Sequence, residues 1–177
     1  MQLIYKFLLF SFLLTWISNS YANEESQYRL SSDDVISVIV FDEPELSLKE
    51  SRVSSSGTIS MPLIGQVSVK GLTVNEAESL VTKKYLGDFL KNPDVSISVI
   101  EYRQFYVNGE VDEPGGYSYR EGMTVERAIT LAGGFTERGS RTNIILVREG
   151  NTQRIEEVKL NEKVFPGDVI TVKESFF

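Results

Sequence analysis

The sequence predicts an α+β fold of two small, packed units, each a sheet carrying one helix. Three observations lead there. Short runs rich in β-branched residues, such as Asp34–Phe41 (DVISVIVF) and Val95–Tyr102 (VSISVIEY), are separated by turn residues. Two stretches, Thr73–Leu86 and Thr124–Ala132, change to helical period. The chain also echoes itself. GLTVNEAESL, from Gly71 to Leu80, aligns without gaps on GMTVERAITL, from Gly122 to Leu131, and DVISV at Asp34–Val38 recurs as DVITV at Asp168–Val172. In the longer pair Gly ends a strand, Thr caps a helix, and Val, Ala and Leu form its inner face.

Taken in order, Asp34–Phe41 is a strand whose apolar run predicts burial on both faces. Glu43-Pro44-Glu45 stops it, since proline donates no ladder hydrogen bond. Val53–Ser56 and Thr58–Met61 read as a hairpin turning near Gly57, and Gln66–Val69 adds another strand after Pro62-Leu63-Ile64-Gly65. In Thr73–Leu86, Val74, Ala77, Leu80, Val81 and Tyr85 share one face, and Thr73 with Glu76 makes a capping box. The alternation from Val95 to Tyr102 predicts a strand running on to Val107. No flexible linker follows it, which predicts neighbouring units in contact. In the second unit Phe105–Val111 is a strand interrupted at Asn108-Gly109, and Glu113-Pro114-Gly115-Gly116 is a turn. Tyr117–Arg120 is a short strand and Thr124–Ala132 a helix ended by Gly133-Gly134. Strands at Asn143–Arg148, Arg154–Val158 and Asp168–Val172 complete the unit.

Residues 1–22 read as a secretory signal. One cation, Lys6, precedes the apolar run Phe7–Ile17, and small residues at Ser20 and Ala22 place cleavage between Ala22 and Asn23. The run is far shorter than the roughly 20 apolar residues of a membrane span. No cysteine follows it, so no lipid is expected there. The expected destination is the periplasm.

The 177 residues carry a net charge of -7, with no histidine and no cysteine. The acidic balance argues against nucleic-acid binding, which needs cations facing the phosphates. The missing residues remove histidine triads, thiol nucleophiles, HExxH zinc sites and thiolate metal sites. The reading is therefore of a protein that is not an enzyme and carries no cofactor, metal or catalytic residue.

An ordered series of short motifs carries a resemblance. Tyr28-Arg-Leu30, Asp33-Asp34-Val-Ile36, Glu45-Leu46, Gly57-Thr-Ile59, Pro62-Leu-Ile-Gly65 and Gly71-Leu-Thr73 are similar to the polysaccharide export domain of outer-membrane polysaccharide exporters, the Wza-like proteins. Val107-Asn-Gly-Glu-Val111, Pro114-Gly115, Thr124-Val125, Ala132-Gly-Gly134 and Pro166-Gly-Asp-Val-Ile170 resemble the soluble-ligand-binding β-grasp (SLBB) domain that follows it. The resemblance implies an export domain at 23–103 and a β-grasp-like SLBB domain at 104–177. It also implies a non-enzymatic role in moving capsule or exopolysaccharide to the surface. The expected partners are the polysaccharide, an inner-membrane polysaccharide copolymerase and further copies of the chain in a homo-oligomeric ring. The sequence departs from large members of the family: it has no lipid-bearing cysteine, one SLBB unit, and no amphipathic helix before Phe177. A separate outer-membrane β-barrel channel is thus expected, with this protein periplasmic and peripheral to the outer membrane. The alternative is a free periplasmic carbohydrate-binding or sensing module.

Candidate contacts follow from sugar chemistry. Tyrosine combines apolar area with a polar tip, and Tyr117 and Tyr119 alternate to one face of a short strand beside Arg120, with Tyr102 and Tyr106 on the preceding strand. Cross-strand packing is the bland reading of the same rings. Arg138, Arg141 and Arg148, around the Ala132-Gly133-Gly134 loop, could meet acidic sugars or a neighbouring subunit, or simply be surface charge. Asp33/Asp34 and Glu43/Glu45 are the best carboxylate pairs for glycan hydrolysis. Their positions at a strand start and around a proline read instead as capping or solvated residues.

Overall fold

The computed structural model describes residues 28–150 and 154–175. The signal segment and its cleavage position, Ala22 before Asn23, lie outside them.

The first unit is built on an antiparallel sheet of order β2-β1-β5, comprising β1 (Val35–Val40), β2 (Leu48–Arg52) and β5 (Val95–Glu101). A hairpin of β3 (Thr58–Met61) and β4 (Gly65–Ser68) and the helix α1 (Val74–Tyr85) complete it. Ala77, Val81 and Tyr85 of α1 are buried against Ile36, Val38 and Val40 of β1, Ile97 of β5, and Ile59 and Val67 of the hairpin. The expected capping box forms: the Glu76 N–H donates to Thr73 Oγ1 at 3.2 Å, and the Thr73 N–H to Glu76 Oε2 at 2.8 Å. At the other helix end the Tyr85 hydroxyl donates to the Pro62 carbonyl at 2.9 Å, tying α1 to the hairpin tip.

Four expectations change here. β1 is not buried on both faces, since Ile39 and Phe41 are 48% and 53% exposed. Helix and hairpin cover one side of the sheet only, as antiparallel sheets allow. The hairpin turns at Pro62–Ile64 and pairs Ile59 with Val67, rather than turning at Gly57. Gly57 instead marks where the chain leaves the sheet for the hairpin. Its φ is +78°, its carbonyl accepts the N–H groups of Val69 and Lys70 at 2.9 and 3.0 Å, and a Cβ would sit 2.4 Å from that of Lys70. β2 (LKESR) was unforeseen, because this polar edge strand has little apolar alternation to announce it. Finally, β5 ends at Glu101 and does not continue to Val107.

The second unit has the mixed sheet β7-β6-β10-β8-β9, built from β6 (Phe105–Gly109), β7 (Gly115–Tyr117), β8 (Gly139–Val147), β9 (Arg154–Ile155) and β10 (Val169–Glu174). β6 and β10 run parallel, with Ile170 opposite Val107, and the other pairs are antiparallel. Helix α2 (Val125–Leu131) buries Val125, Ala128 and Ile129 against Phe105, Val107, Ile144, Leu146, Ile170 and Val172. A mixed sheet gripping one helix is the β-grasp plan, and the chain as a whole is α+β. Gly109 shows how closely the parallel strands approach, since a Cβ there would lie 2.0 Å from the Val172 carbonyl oxygen.

Strand bounds shift in this unit too. The strand expected at Tyr117–Arg120 is Gly115–Tyr117, so its two glycines pair with Val107 and Tyr106 instead of turning. The crowding explains them: a Cβ on Gly116 would come within 2.6 Å of Gln104 Oε1. β8 starts four residues before Asn143, and β9 holds only two residues of the expected Arg154–Val158.

Candidate functional site

The two Asp-Val-Ile motifs fold into the same local device. Asp34 is fully buried and accepts the Ser31 N–H, three residues upstream, at 2.7 Å. Asp168 is 1% exposed and accepts the Phe165 N–H, also three residues upstream, at 2.8 Å. Each carboxylate thus caps the turn that feeds its strand, and each meets an arginine. Arg148 Nη1 lies 2.5 Å from Asp168 Oδ2, and its guanidinium sits over the Phe165 ring at 4.9 Å. Arg103 reaches Asp34 at 3.4 Å and sits over the Tyr28 ring at 5.6 Å. The capping role read from the sequence holds, but neither aspartate is solvated. Burial pushes the Asp168 carboxyl up, while the Phe165 N–H and Arg148 pull it down.

The first device joins the units. The Arg103 backbone N–H donates to Asp34 Oδ1 at 3.0 Å, which turns the chain between β5 and β6. The Arg103 side chain continues to Glu149 of the second unit, with Nε 2.6 Å from Oε2. The Tyr28 hydroxyl adds a bond to Asp34 at 2.5 Å. Burial, then the bond to Asp34, raises the Tyr28 hydroxyl well above the ordinary tyrosine range. An edge-to-face series extends the junction: Tyr28 meets Tyr102 at 4.8 Å and 88°, and Tyr102 meets Tyr119 at 5.3 Å and 81°.

Two open clefts flank this series. The first, of about 480 Å³, lies at the junction and is lined by Arg52, Tyr102, Arg103, Tyr106 and Glu149 among others. The second, of about 670 Å³, runs between the end of β7 and α2, and Tyr117, Arg120, Met123, Arg127 and Leu131 line it. Tyr102 links them, because its hydroxyl donates to Glu121 of the second cleft at 2.9 Å. Burial and then that bond push the Tyr102 hydroxyl up to about 12.

Of the residues singled out in the sequence, Tyr117 and Arg120 come together in the second cleft. Tyr119 belongs to the tyrosine series at the junction, and Tyr102 lies between strands rather than on one. Arg138 and Arg141 lie elsewhere, by the start of β8. Arg138 pairs with Glu174 at 2.9 Å, and Arg141 sits over the Phe135 ring at 5.2 Å. Arg148 is spent internally on Asp168 and Glu162. Sequence reading missed Arg127, whose only signal was its place on the outer face of a short helix. It also missed Arg103, which has no pattern around it at all. Glu45 and Asp33 are exposed, while Asp34 is buried and engaged by Ser31, Tyr28 and Arg103. Among the described residues no three acidic side chains gather to hold a metal ion, and no helix is long and apolar enough to cross a membrane.

Comparison with known proteins gives this geometry a setting. Residues 22–100 match the polysaccharide biosynthesis/export protein family, and residues 104–156 match the SLBB domain. The chain is 32% identical, over 70% of its length, to the EPS I polysaccharide export outer membrane protein EpsA of Ralstonia nicotianae. It is 37% identical over 46% of its length to the exopolysaccharide production protein ExoF of Rhizobium meliloti. With the polysialic acid transport protein KpsD of Escherichia coli it shares 32% identity over 58% of its length. The chain spans 39% of the first of these relatives, 20% of the second and 19% of the third.

Proposed function

We propose that this chain, which matches the polysaccharide biosynthesis/export family over residues 22–100, is a non-enzymatic, periplasmic component of a capsule or exopolysaccharide export machinery. It forms part of a polymer conduit between an inner-membrane copolymerase and a separate outer-membrane β-barrel channel. Copies of the chain assemble into a ring peripheral to the outer membrane. The observation that carries this reading is the export domain followed directly by the SLBB domain, matched in order along residues 22–156. The relatives named above are known for polysaccharide export, exopolysaccharide production and polysialic acid transport.

The mechanism this supports is a shaped passage with weak, repeated contacts. Exposed grooves with a tyrosine and solvent-facing arginines suit that task, because rim charges contribute about 0–1 kcal/mol each. Tight sites would hold a polymer that has to move. The junction bonds around Asp34 and Arg103 would keep the two domains of each copy in fixed register along the passage.

A second reading is a free carbohydrate-binding module, which would use the groove that Tyr117, Arg120 and Arg127 line between β7 and α2. The test that separates them is the distribution of polymer in a strain lacking the gene, with surface and periplasmic fractions assayed apart and the protein restored as control. Loss of surface polymer, with material retained in the periplasm, supports the export reading. Unchanged surface polymer overturns a required export role and leaves the binding module.

A further inference from the structure

We propose that the groove between β7 and α2 is a subsite for a carboxylate-bearing sugar residue, as in an acidic polysaccharide built on uronic acids. The proposal deepens the export reading and rests on it for the polymer. It stands on three features of the groove. The first is a fixed aromatic surface. The Tyr117 ring lies 6.0 Å from that of Phe105 at 30°, and its hydroxyl donates to the Glu113 carbonyl, so little freedom remains to lose when a pyranose ring stacks on it. The second is an apolar floor and wall, with Met123 6% exposed and Leu131 49% exposed.

The third feature sets the sign of the ligand. Arg120 and Arg127 line the groove and, like Arg52, Arg141 and Arg154, are not ion-paired with a carboxylate among the described residues, whereas Arg29, Arg103, Arg138 and Arg148 are. Arg127 donates one Nη1–H to the Gly122 carbonyl at 3.0 Å, which orients its guanidinium while other donors stay open. Guanidinium groups match the two oxygens of a carboxylate. The acid in the groove, Glu121, accepts the Tyr102 hydroxyl and keeps its charge, so the lining side chains carry two cations against one anion. A net charge of -7 works against binding a polyanion. Two arginines against one carboxylate, beside a stacking ring, leave the groove locally cationic. Of the arginines that the sequence offered to acidic sugars, Arg138 and Arg148 are ion-paired and Arg141 sits over the Phe135 ring, whereas Arg120 and Arg127 share a groove with a stacking ring.

The test is an amide-shift titration of the ¹⁵N-labelled chain, expressed from Asn23, with three probes at matched ionic strength: a glucuronic acid oligomer, a neutral glucose oligomer of equal length, and inorganic phosphate. The proposal expects the glucuronic acid oligomer to shift the amides of Ser118, Arg127 and Leu131 at millimolar concentration, about fivefold more tightly than the neutral oligomer. Replacing both arginines (Arg120→Ala with Arg127→Ala) should erase the preference and leave the neutral sugar's weak binding in place. Equal binding of the two oligomers, no shift with either, or a phosphate response as strong as that of the acidic oligomer overturns it. The export reading fails separately: normal surface polymer in the deletion strain beside a clear acidic preference would sink export alone and leave the subsite standing.

Discussion

The backbone N–H of Arg103 donates to the Asp34 carboxylate at 3.0 Å, across 69 residues of sequence. One buried side chain thereby ends the first unit and aims the second. Four donors converge on Asp34, from Ser31, Tyr28 and both the backbone and side chain of Arg103. Removing the carboxylate strands all of them. Asp34→Ala should cost about 3–5 kcal/mol of stability, read from urea unfolding, and Asp34→Asn should cost less because an amide oxygen still accepts. A loss near zero for the alanine variant would show that the junction is held by other contacts.

Gly109 makes a separate prediction about the β-grasp sheet. Its φ is +85°, and a Cβ would fall 2.0 Å from the Val172 carbonyl oxygen on the parallel strand β10. Gly109→Ala should therefore destabilise by more than about 2 kcal/mol. An unchanged denaturation midpoint would contradict the close approach of β6 and β10.

Glu76 gives the acid side of the stability profile. The Thr73 N–H, and secondarily Arg29, hold its carboxyl below the ordinary value of 4.5. A depressed carboxyl means that the unfolded chain takes up its proton first. The stabilisation is therefore complete above 4.5 and is lost as the pH falls through the lowered value. Glu76→Gln should flatten that part of the curve when Tm is followed from pH 7 to pH 3. Parallel curves for the two proteins would count against the capping box as a source of acid sensitivity.

The groove arginines should separate function from stability. Arg120 is exposed and makes no ion pair among the described residues. Arg120→Ala should change unfolding free energy by no more than about 0.5 kcal/mol while reducing surface polymer in a complemented deletion strain. Wild-type polymer levels with this variant and with the double Arg120/Arg127 variant would remove the groove from the account.

Much of this architecture was legible before the fold was known. Helix α1 announced itself by period and capping box, and α2 by its echo of α1, because both signals are local. The Asp34 and Asp168 repeat was visible as a motif, and its shared turn geometry explains why. The parts that escaped depend on distant neighbours. Nothing local marks Arg103, whose role comes from meeting Asp34 and Glu149, and β2 is an edge strand made by pairing with β1 rather than by its own polar residues. Gly115 and Gly116 looked like a turn because glycine usually signals one, yet crowding by Gln104 and Tyr106 explains Gly116 equally well. Tyr117 and Tyr119 share a period but part company after β7 ends, so one lines the groove and the other packs at the junction.

The most direct test of the central claim, that exported polymer passes over the second domain of this protein, is photo-cross-linking in secreting cells. A benzophenone amino acid placed at Ser118, exposed on the groove, would be compared with one at Lys49, exposed on β2. The account predicts a light-dependent adduct carrying polysaccharide at Ser118 and none at Lys49. Equal labelling at both positions, or none at Ser118 while polymer is being secreted, would contradict it.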